Sequence, residues 1–485
     1  MEMEGTKPAV VTNEETLDLE AGLSPAAAPA GSQSDPDPNL DEEDYDGSGS
    51  LLSLSSTEPP SAAVSARREK AKQRKILIVK VFYYLIFTAL AALMPFLPVF
   101  FKSKGYSKTQ IGALQAFQPL IGFVGGALGP ALADKTQSHR WVLLVSLVAT
   151  LIFRSSLYVM DGFALTAFMV VLGNLLGSPS FPLIDSSAVD LLGKNSQDYG
   201  KLRMWGTIGW GVSAPLVGFL VTQTTLATSF LIHGVVMLPV LLLCFSFPVR
   251  KTSKSAAAVA ASATSSTQVP VPADREGEGQ GMSSILKSPE VWCFFMTVFF
   301  VGHAAGSITT TLFVFLKGLG ASELLMGICL TLNCVAEVPA FFYFNKILDK
   351  LGVRGVLYLS FFMVTARIVY YAFLTVPWLV FPAELLGGAS YAITWSACTF
   401  HGRALAPKGM GATMQGLLKG VNGIGVGVGS LVAGAVYDHF NDQQTYLILA
   451  TIPMIGLIAF FISNHLLDAR RPSEHPLGPA SSTHH

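Results

Sequence analysis

The chain is 485 residues long, 51% hydrophobic and only 13% charged, with 32 Lys+Arg balanced by 32 Asp+Glu. A typical soluble domain carries about 25% charged residues, and one this apolar would expose patches it could not keep dispersed. The composition excludes a soluble enzyme, a secreted disulfide scaffold and a disordered chain, and the zero net charge leaves no basic footprint for nucleic acid.

Residues 1–66 hold 14 acidic residues and one Lys among many Ser, Pro and Ala. With no apolar period they read as a disordered tail. They lack the basic start and apolar core of a signal peptide, and they are too acidic for a transit peptide. Asp46 ahead of Leu51-Leu52 fits an acidic dileucine sorting pattern, which also arises by chance. A basic run, Arg67, Arg68, Lys70, Lys72, Arg74 and Lys75, ends this tail at residue 75.

Apolar spans follow, each near the ~20 residues that cross a bilayer as a helix. Spans 1 to 6 are 76–101, 109–133, 141–160, 163–192, 202–222 and 227–247. Spans 7 to 12 are 289–316, 323–346, 354–374, 378–402, 411–436 and 445–466. Between the two sets, 249–288 is rich in Ala, Ser, Thr, Pro and charge, and reads as a flexible cytoplasmic linker. Placing the N-terminus in the cytosol puts 24 of the 32 Lys+Arg on the inner side and four outside, Lys102, Lys104, Lys108 and Lys317. That asymmetry sets the orientation, and an even span count brings both termini to the cytosol. No Asn-x-Ser/Thr sequon occurs. Cys244, Cys293, Cys329, Cys334 and Cys398 all fall inside spans, with no metal or disulfide spacing, and read as small packing residues.

The two sets of spans echo each other. Asp134-Lys135 ends span 2 and Asp349-Lys350 ends span 8, an offset of 215 residues; Gly209 with Gly425 and Gly218 with Gly434 share an offset of 216. Such constancy indicates a duplicated six-helix unit, an architecture of transporters. The expected fold is an all-α membrane protein, twelve transmembrane helices in two six-helix pseudo-symmetric bundles around a central cavity. The bundles are 76–248 and 289–468, and 469–485 is a cytoplasmic tail.

Ionisable groups at membrane depth are costly and mark function by default. Arg154, Asp185, Glu337, Arg367 and Glu384 stand out, with Arg203 opening span 5. The first five sum to minus one and all six to zero, so mutual pairing can satisfy them. Asp185 follows Pro179 and Pro182, which should interrupt span 4, and Arg203 on the adjacent span is its natural partner. The pair can equally serve only to hold spans 4 and 5 together, and Arg154 to anchor packing.

Gly129-Pro-Ala-Leu-Ala-Asp134-Lys135 with His139-Arg140 resembles the loop signature of the major facilitator superfamily, and Asn345-Lys-Ile-Leu-Asp349-Lys350 a weaker second copy. Tyr199-Gly-Lys-Leu-Arg203-Met-Trp-Gly206-Thr-Ile-Gly209-Trp210 resembles lactose-permease-like oligosaccharide–proton symporters and the related nucleoside–proton symporters. The resemblance runs over about 76–468. It implies a substrate site at Asp185, Arg203 and Trp210, and a conformational latch at Asp134, Lys135, Arg140, Asp349 and Lys350. It also implies a proton-coupling role for Arg367. The chain departs from the sugar permeases on span 10, where Gly387 and Ser390 stand near their His and Glu. Neither can carry a proton, so Glu337, in a Glu-x-Pro that resembles nucleoside-type relatives, and Glu384 are the replacement candidates. Movement of Arg367 relative to Glu337 would then change the proton affinity of that carboxylate.

The expected function is a secondary active transporter, not an enzyme. It would move a sugar or similar polyhydroxylated solute by alternating access with protons, as a monomer needing no cofactor or metal. The alternatives are a nucleoside–proton symporter, a uniporter or exporter of an organic anion held by the arginines, and a receptor that retains the fold.

Overall fold

The computed structural model describes residues 62–193, 198–249, 287–406 and 410–470. The acidic tail with its Asp46 sorting pattern, linker residues 250–286 and residues 471–485 lie outside them.

Every expected span is helical. Span 1 is α1 (Ala62–Leu93), a 3₁₀ turn (Met94–Phe96) and α2 (Leu97–Ser103), broken where Pro95 and Pro98 remove backbone donors. Span 2 is α3 (Lys108–Thr136). It is started by Ser107, whose hydroxyl accepts the Gln110 N–H while Gln110 reaches back to the Ser107 N–H. Span 3 is α4 (His139–Ser156). Span 4 is α5 (Phe163–Gly177) and α6 (Ser180–Leu192), parted at Ser178-Pro179 as the prolines suggest. Spans 5, 6 and 7 are α7 (Tyr199–Gln223), α8 (Ala227–Ser246) and α9 (Pro289–Gly318). The stretch α10 (Glu323–Ala372) carries spans 8 and 9 in two arms, because Gly352 at φ +64° and ψ 172° breaks the helix between them. Spans 10, 11 and 12 are α11 (Val380–Leu405), α12 (Gly411–His439) and α13 (Asp442–Arg470). Among the described residues nine helices, α10 counted once, are long and apolar enough to cross a membrane. The less apolar α4 and α11 stand at spans 3 and 10.

In the first half α1 packs on α7 and α8, α3 on α5, and α4 on α5 and α8; in the second α9 packs on α12 and α13, and α10 on α11 and α13. The duplication inferred from the sequence holds in the packing. Gly209 of α7 lies so close to the Tyr84 carbonyl of α1 that a Cβ would overlap it. Gly425 of α12 meets the Phe299 carbonyl of α9 in the same way. Tyr84 and Phe299 are 215 residues apart, so the partners obey the offset as well. One core of Phe82, Leu143, Ile184 and Met237 fills the first half, and one of Phe294, Phe361, Ile393 and Leu418 fills the second.

The halves meet along two antiparallel seams. On one, Gly112 of α3 faces Ser430 and Gly434 of α12, Leu120 faces Gly427, and Phe123 faces Gly420. On the other, Gly218 of α7 faces Glu323 and Leu324 of α10, and Ala214 and Pro215 face Gly327. Bare glycines let the backbones touch. Both seams begin at the end of the molecule that carries Ser107 and Ser322. A shared core closes that end, where Phe96 and Val217 pack in one cluster with Leu312 and Leu325.

Candidate functional site

A cavity of about 620 Å³ lies between the halves, within the ~300–1,000 Å³ of small-molecule sites. From the first half it is lined by Gln115 and Gln118 of α3 and by Arg203, Thr207 and Trp210 of α7. From the second come Asn333, Cys334 and Glu337 on the first arm of α10, Arg367 on its second arm, and Glu384 and Tyr391 on α11.

Helical spacing explains the α7 wall. Tyr199, Arg203, Thr207 and Trp210 fall on one face, while Gly206 and Gly209 lie on another, against Phe87 and Tyr84 of α1. The break before α6 turns Asp185 toward α7. Arg203 Nη1 donates to Asp185 Oδ1 and Oδ2 at 3.1 and 3.2 Å, and Tyr83 of α1 donates to Oδ1 at 2.6 Å. The guanidinium also donates to Tyr199 Oη at 3.4 Å and lies 5.7 Å from the Phe87 ring. The expected Asp185–Arg203 pair is therefore present. Arg203 and Trp210 line the cavity, and Asp185 stands behind Arg203.

A second pair occupies the opposite wall. Arg367 Nη2 donates to both oxygens of Glu384 at 2.9 Å. Tyr371 joins the two, accepting from Arg367 Nε at 2.6 Å and donating to Glu384 Oε1, while Asn333 Nδ2 donates to Glu384 Oε2. Gly387 makes this possible, because a Cβ there would overlap the guanidinium. The residue that seemed only a lost proton site is thus the space through which Arg367 reaches Glu384.

Exposure separates the two pairs. Arg203 and Asp185 keep 44% and 26% of their side-chain surface exposed, against 13% and 2% for Arg367 and Glu384. A wet pair exchanges partners at little cost, whereas parting a dry one leaves an uncompensated charge. Glu337 makes no hydrogen bond or ion pair among the described residues. It shares the cavity wall with Arg203, which comes from the other half. In this conformation Arg367 pairs with Glu384 and not with Glu337.

Arg154 does not line the cavity. Its Nη1 is buried without a hydrogen-bond partner in the first half. Nearby His233 Nδ1 bonds the Ala89 carbonyl at 2.8 Å. The charged lining residues Arg203, Glu337, Arg367 and Glu384 sum to zero, and Asp185 behind Arg203 brings the group to minus one. Among the cysteines, Cys334 borders the cavity while Cys244, Cys329 and Cys398 are buried.

The latch residues lie apart from the cavity. Asp134 takes His139 Nε2 at 2.8 Å, because Gln137, at φ 55°, turns the chain so that the first residue of α4 faces back. Arg140 instead turns toward the Phe247 carbonyl at 3.5 Å, and Lys135, Asp349 and Lys350 are exposed. Sequence reasoning missed the roles of Tyr371, Tyr83 and Asn333 as carboxylate partners. The only advance signal was Tyr371 standing one helical turn after Arg367.

Residues 76–448 match the model of the MFS_1 like family. The chain is 22% identical over 387 residues to the maltose permease of Geobacillus stearothermophilus, covering 79% of this chain and 93% of that one. It is 22% identical over 312 residues to the major facilitator superfamily domain-containing protein 6-like protein A of Xenopus laevis, covering 62% of this chain and 48% of that one. The fold is similar to the crystal structure of the nucleoside transporter NupG, with a TM-score of 0.64 at 17% identity over 80% of this chain and 99% of that one.

Proposed function

The chain belongs to the MFS_1 like family, a family of major facilitator transporters, and on that premise we propose that it moves a neutral polyhydroxylated solute together with a proton by alternating access. The observation that carries this reading is the exposed Asp185–Arg203 pair beside Trp210, facing an unpaired Glu337 across one cavity. The guanidinium and carboxylate offer directional bonds to hydroxyl groups, and the indole covers the apolar face of a ring. With Asp185 counted behind Arg203, the group has one excess negative charge and becomes neutral when Glu337 takes a proton.

Arg203 then links the two events. It is shared between Asp185 in its own half and Glu337 in the other, so a solute that engages the guanidinium changes how well Glu337 holds its proton. Arg367 and Glu384, tied to each other, position the wall that carries Asn333. Both termini lie in the cytosol by the placement of Lys and Arg, so the seams close the outer end and the cavity opens inward. Asp134, Lys135 and Arg140, with Asp349 and Lys350, then stand at the inner end and latch it in the opposite conformation. The excess negative charge disfavours an organic anion as substrate. A nucleoside is the second reading, supported by the amides of Gln115, Gln118 and Asn333, which can both donate to and accept from a base edge.

Thermal-shift measurements on purified protein against sugars, nucleosides and organic anions test the substrate class. Stabilisation by a sugar or nucleoside, lost in Asp185→Asn and Arg203→Ala, is expected; stabilisation by anions alone would overturn the reading. With the stabilising solute in proteoliposomes, uptake should acidify the lumen. Glu337→Gln should abolish that proton movement, and proton movement that persists would remove Glu337 from the role.

A further inference from the structure

The two seams end in matching hydrogen bonds between the halves. At the start of α3, the Lys108 N–H donates to Asp438 Oδ1 at 2.8 Å and the Thr109 N–H to Asp438 Oδ2 at 2.7 Å. At the start of α10, the Leu324 N–H donates to Thr222 Oγ1 at 3.0 Å. Asp438 lies at the end of α12 and Thr222 at the end of α7, so each comes from the half opposite the helix it serves. The first N–H groups of a helix have no partner within it, and their positive dipole end favours a carboxylate. Each helix also has its own cap on a different N–H: Ser107 takes Gln110, and Ser322 takes Leu325.

The two sites are copies of each other. Ser107 and Ser322, Thr109 and Leu324, and Gln110 and Leu325 are each separated by 215 residues, and Thr222 and Asp438 by 216, the offsets of the duplicated unit. The copies differ in chemistry. Asp438 is a carboxylate that takes two donors, and Lys108 Nζ stacks 3.3 Å from the ring centre of its neighbour Tyr437. Thr222 is a neutral hydroxyl that takes one donor and is itself aimed by a bond to the Gly218 carbonyl at 2.8 Å.

We propose that Asp438 and Thr222 are positioning residues of the transport cycle, a charged and a neutral latch that hold the outer gate shut by completing a helix start in the opposite half. Opening this end breaks all three bonds at once and returns the bared N–H groups to water. A bond to a charged acceptor outweighs a neutral one, so Asp438 dominates the opening equilibrium and Thr222 trims it. The duplicated fold therefore has an asymmetric gate, with the stronger latch on the α3–α12 seam.

The inference rests on the alternating-access reading, and its test needs no substrate, so its failure is told apart from a failure of the substrate and proton assignments. Amide hydrogen exchange is measured on the full chain in lipid nanodiscs, wild type against Asp438→Ala, Asp438→Asn and Thr222→Val. If the residues are gate latches, Asp438→Ala speeds exchange at residues 108–112 and also at 323–327 on the distant seam, each by about tenfold or more. Thr222→Val speeds both by less, Asp438→Asn falls between them, and α8 and α13 stay unchanged. Faster exchange confined to the helix whose cap was removed would overturn the proposal, since it would make Asp438 a local cap. Faster exchange throughout the chain in all three variants would overturn it as well.

Discussion

Two cavity arginines do different work because their surroundings differ. Arg203 sits in a wet pair that can exchange partners, while Arg367 is enclosed by Glu384 and Tyr371. Replacing one member of a buried pair leaves the other charge without compensation, at a cost of about 3–5 kcal/mol. Glu384→Gln or Arg367→Met alone should therefore lower the thermal unfolding temperature markedly in detergent. The double variant Arg367→Met with Glu384→Met should recover most or all of it, since removing both charges of a buried pair is often neutral or stabilising. A double variant no more stable than the worse single variant would mean that the pair holds the wall through more than its charge. The two pairings were unequally legible in the sequence. Asp185 and Arg203 flank a proline break and a motif with fixed spacing, so their meeting could be read in advance. Arg367 and Glu384 depend on how the second arm of α10 registers against α11. No residue pattern specifies that register, and Gly387 records it only in retrospect. Arg154 shows the same limit, because the pattern of α4 does not say which of its faces turns to the cavity.

At the scale of the helices, contact between the halves is decided by residues without side chains. A Cβ on Gly112 would overlap the Ser430 carbonyl and crowd Gly434, and a Cβ on Gly327 would overlap the Ala214 carbonyl. Backbone cannot yield as a flexible side chain does, so Gly112→Val or Gly327→Val should wedge α3 from α12, or α10 from α7, and open the outer end. Native Cys334, on the cavity wall, reports this directly. A membrane-impermeant maleimide applied to the outer face should label it several-fold faster in either variant than in wild type. Equal labelling would show that the seam closes despite the added bulk. The glycines and their offset were readable in the sequence as a sign of close, repeated packing. Which helices they join was not, because a small residue permits an approach without naming the partner. The division between spans 8 and 9 was readable, since Gly352 falls among Asp349, Lys350 and Arg354, but its left-handed backbone was not.

For the whole molecule, the balance of 32 basic against 32 acidic residues describes no actual region of it. The acidic tail holds 14 carboxylates, the tails and loops assigned to the cytosol together hold most of the Lys and Arg, and the cavity lining holds four charges that sum to zero, with Asp185 behind them. Orientation depends on Lys and Arg close to the ends of the spans, so the acidic tail does not oppose the basic run at 67–75. The run lies in the first turns of α1, which places its charges within a few turns of the apolar core. An epitope tag at either end of the chain should therefore be stained by antibody in cells only after permeabilisation. A tag inserted at Gly105 or Gly320, which lie in turns at the opposite end with open space around them, should be stained in intact cells if the protein resides at the cell surface. In sealed organelles it should survive external protease that removes the terminal tags. Replacing Arg67, Arg68, Lys70, Lys72, Arg74 and Lys75 together with Gln should weaken this orientation without inverting it, because Lys135, Arg140, Lys350 and Arg354 still hold the later inner loops. Terminal tags stained without permeabilisation in the unmodified chain would reverse the orientation, and the end closed by Asp438 and Thr222 would then be the cytosolic one.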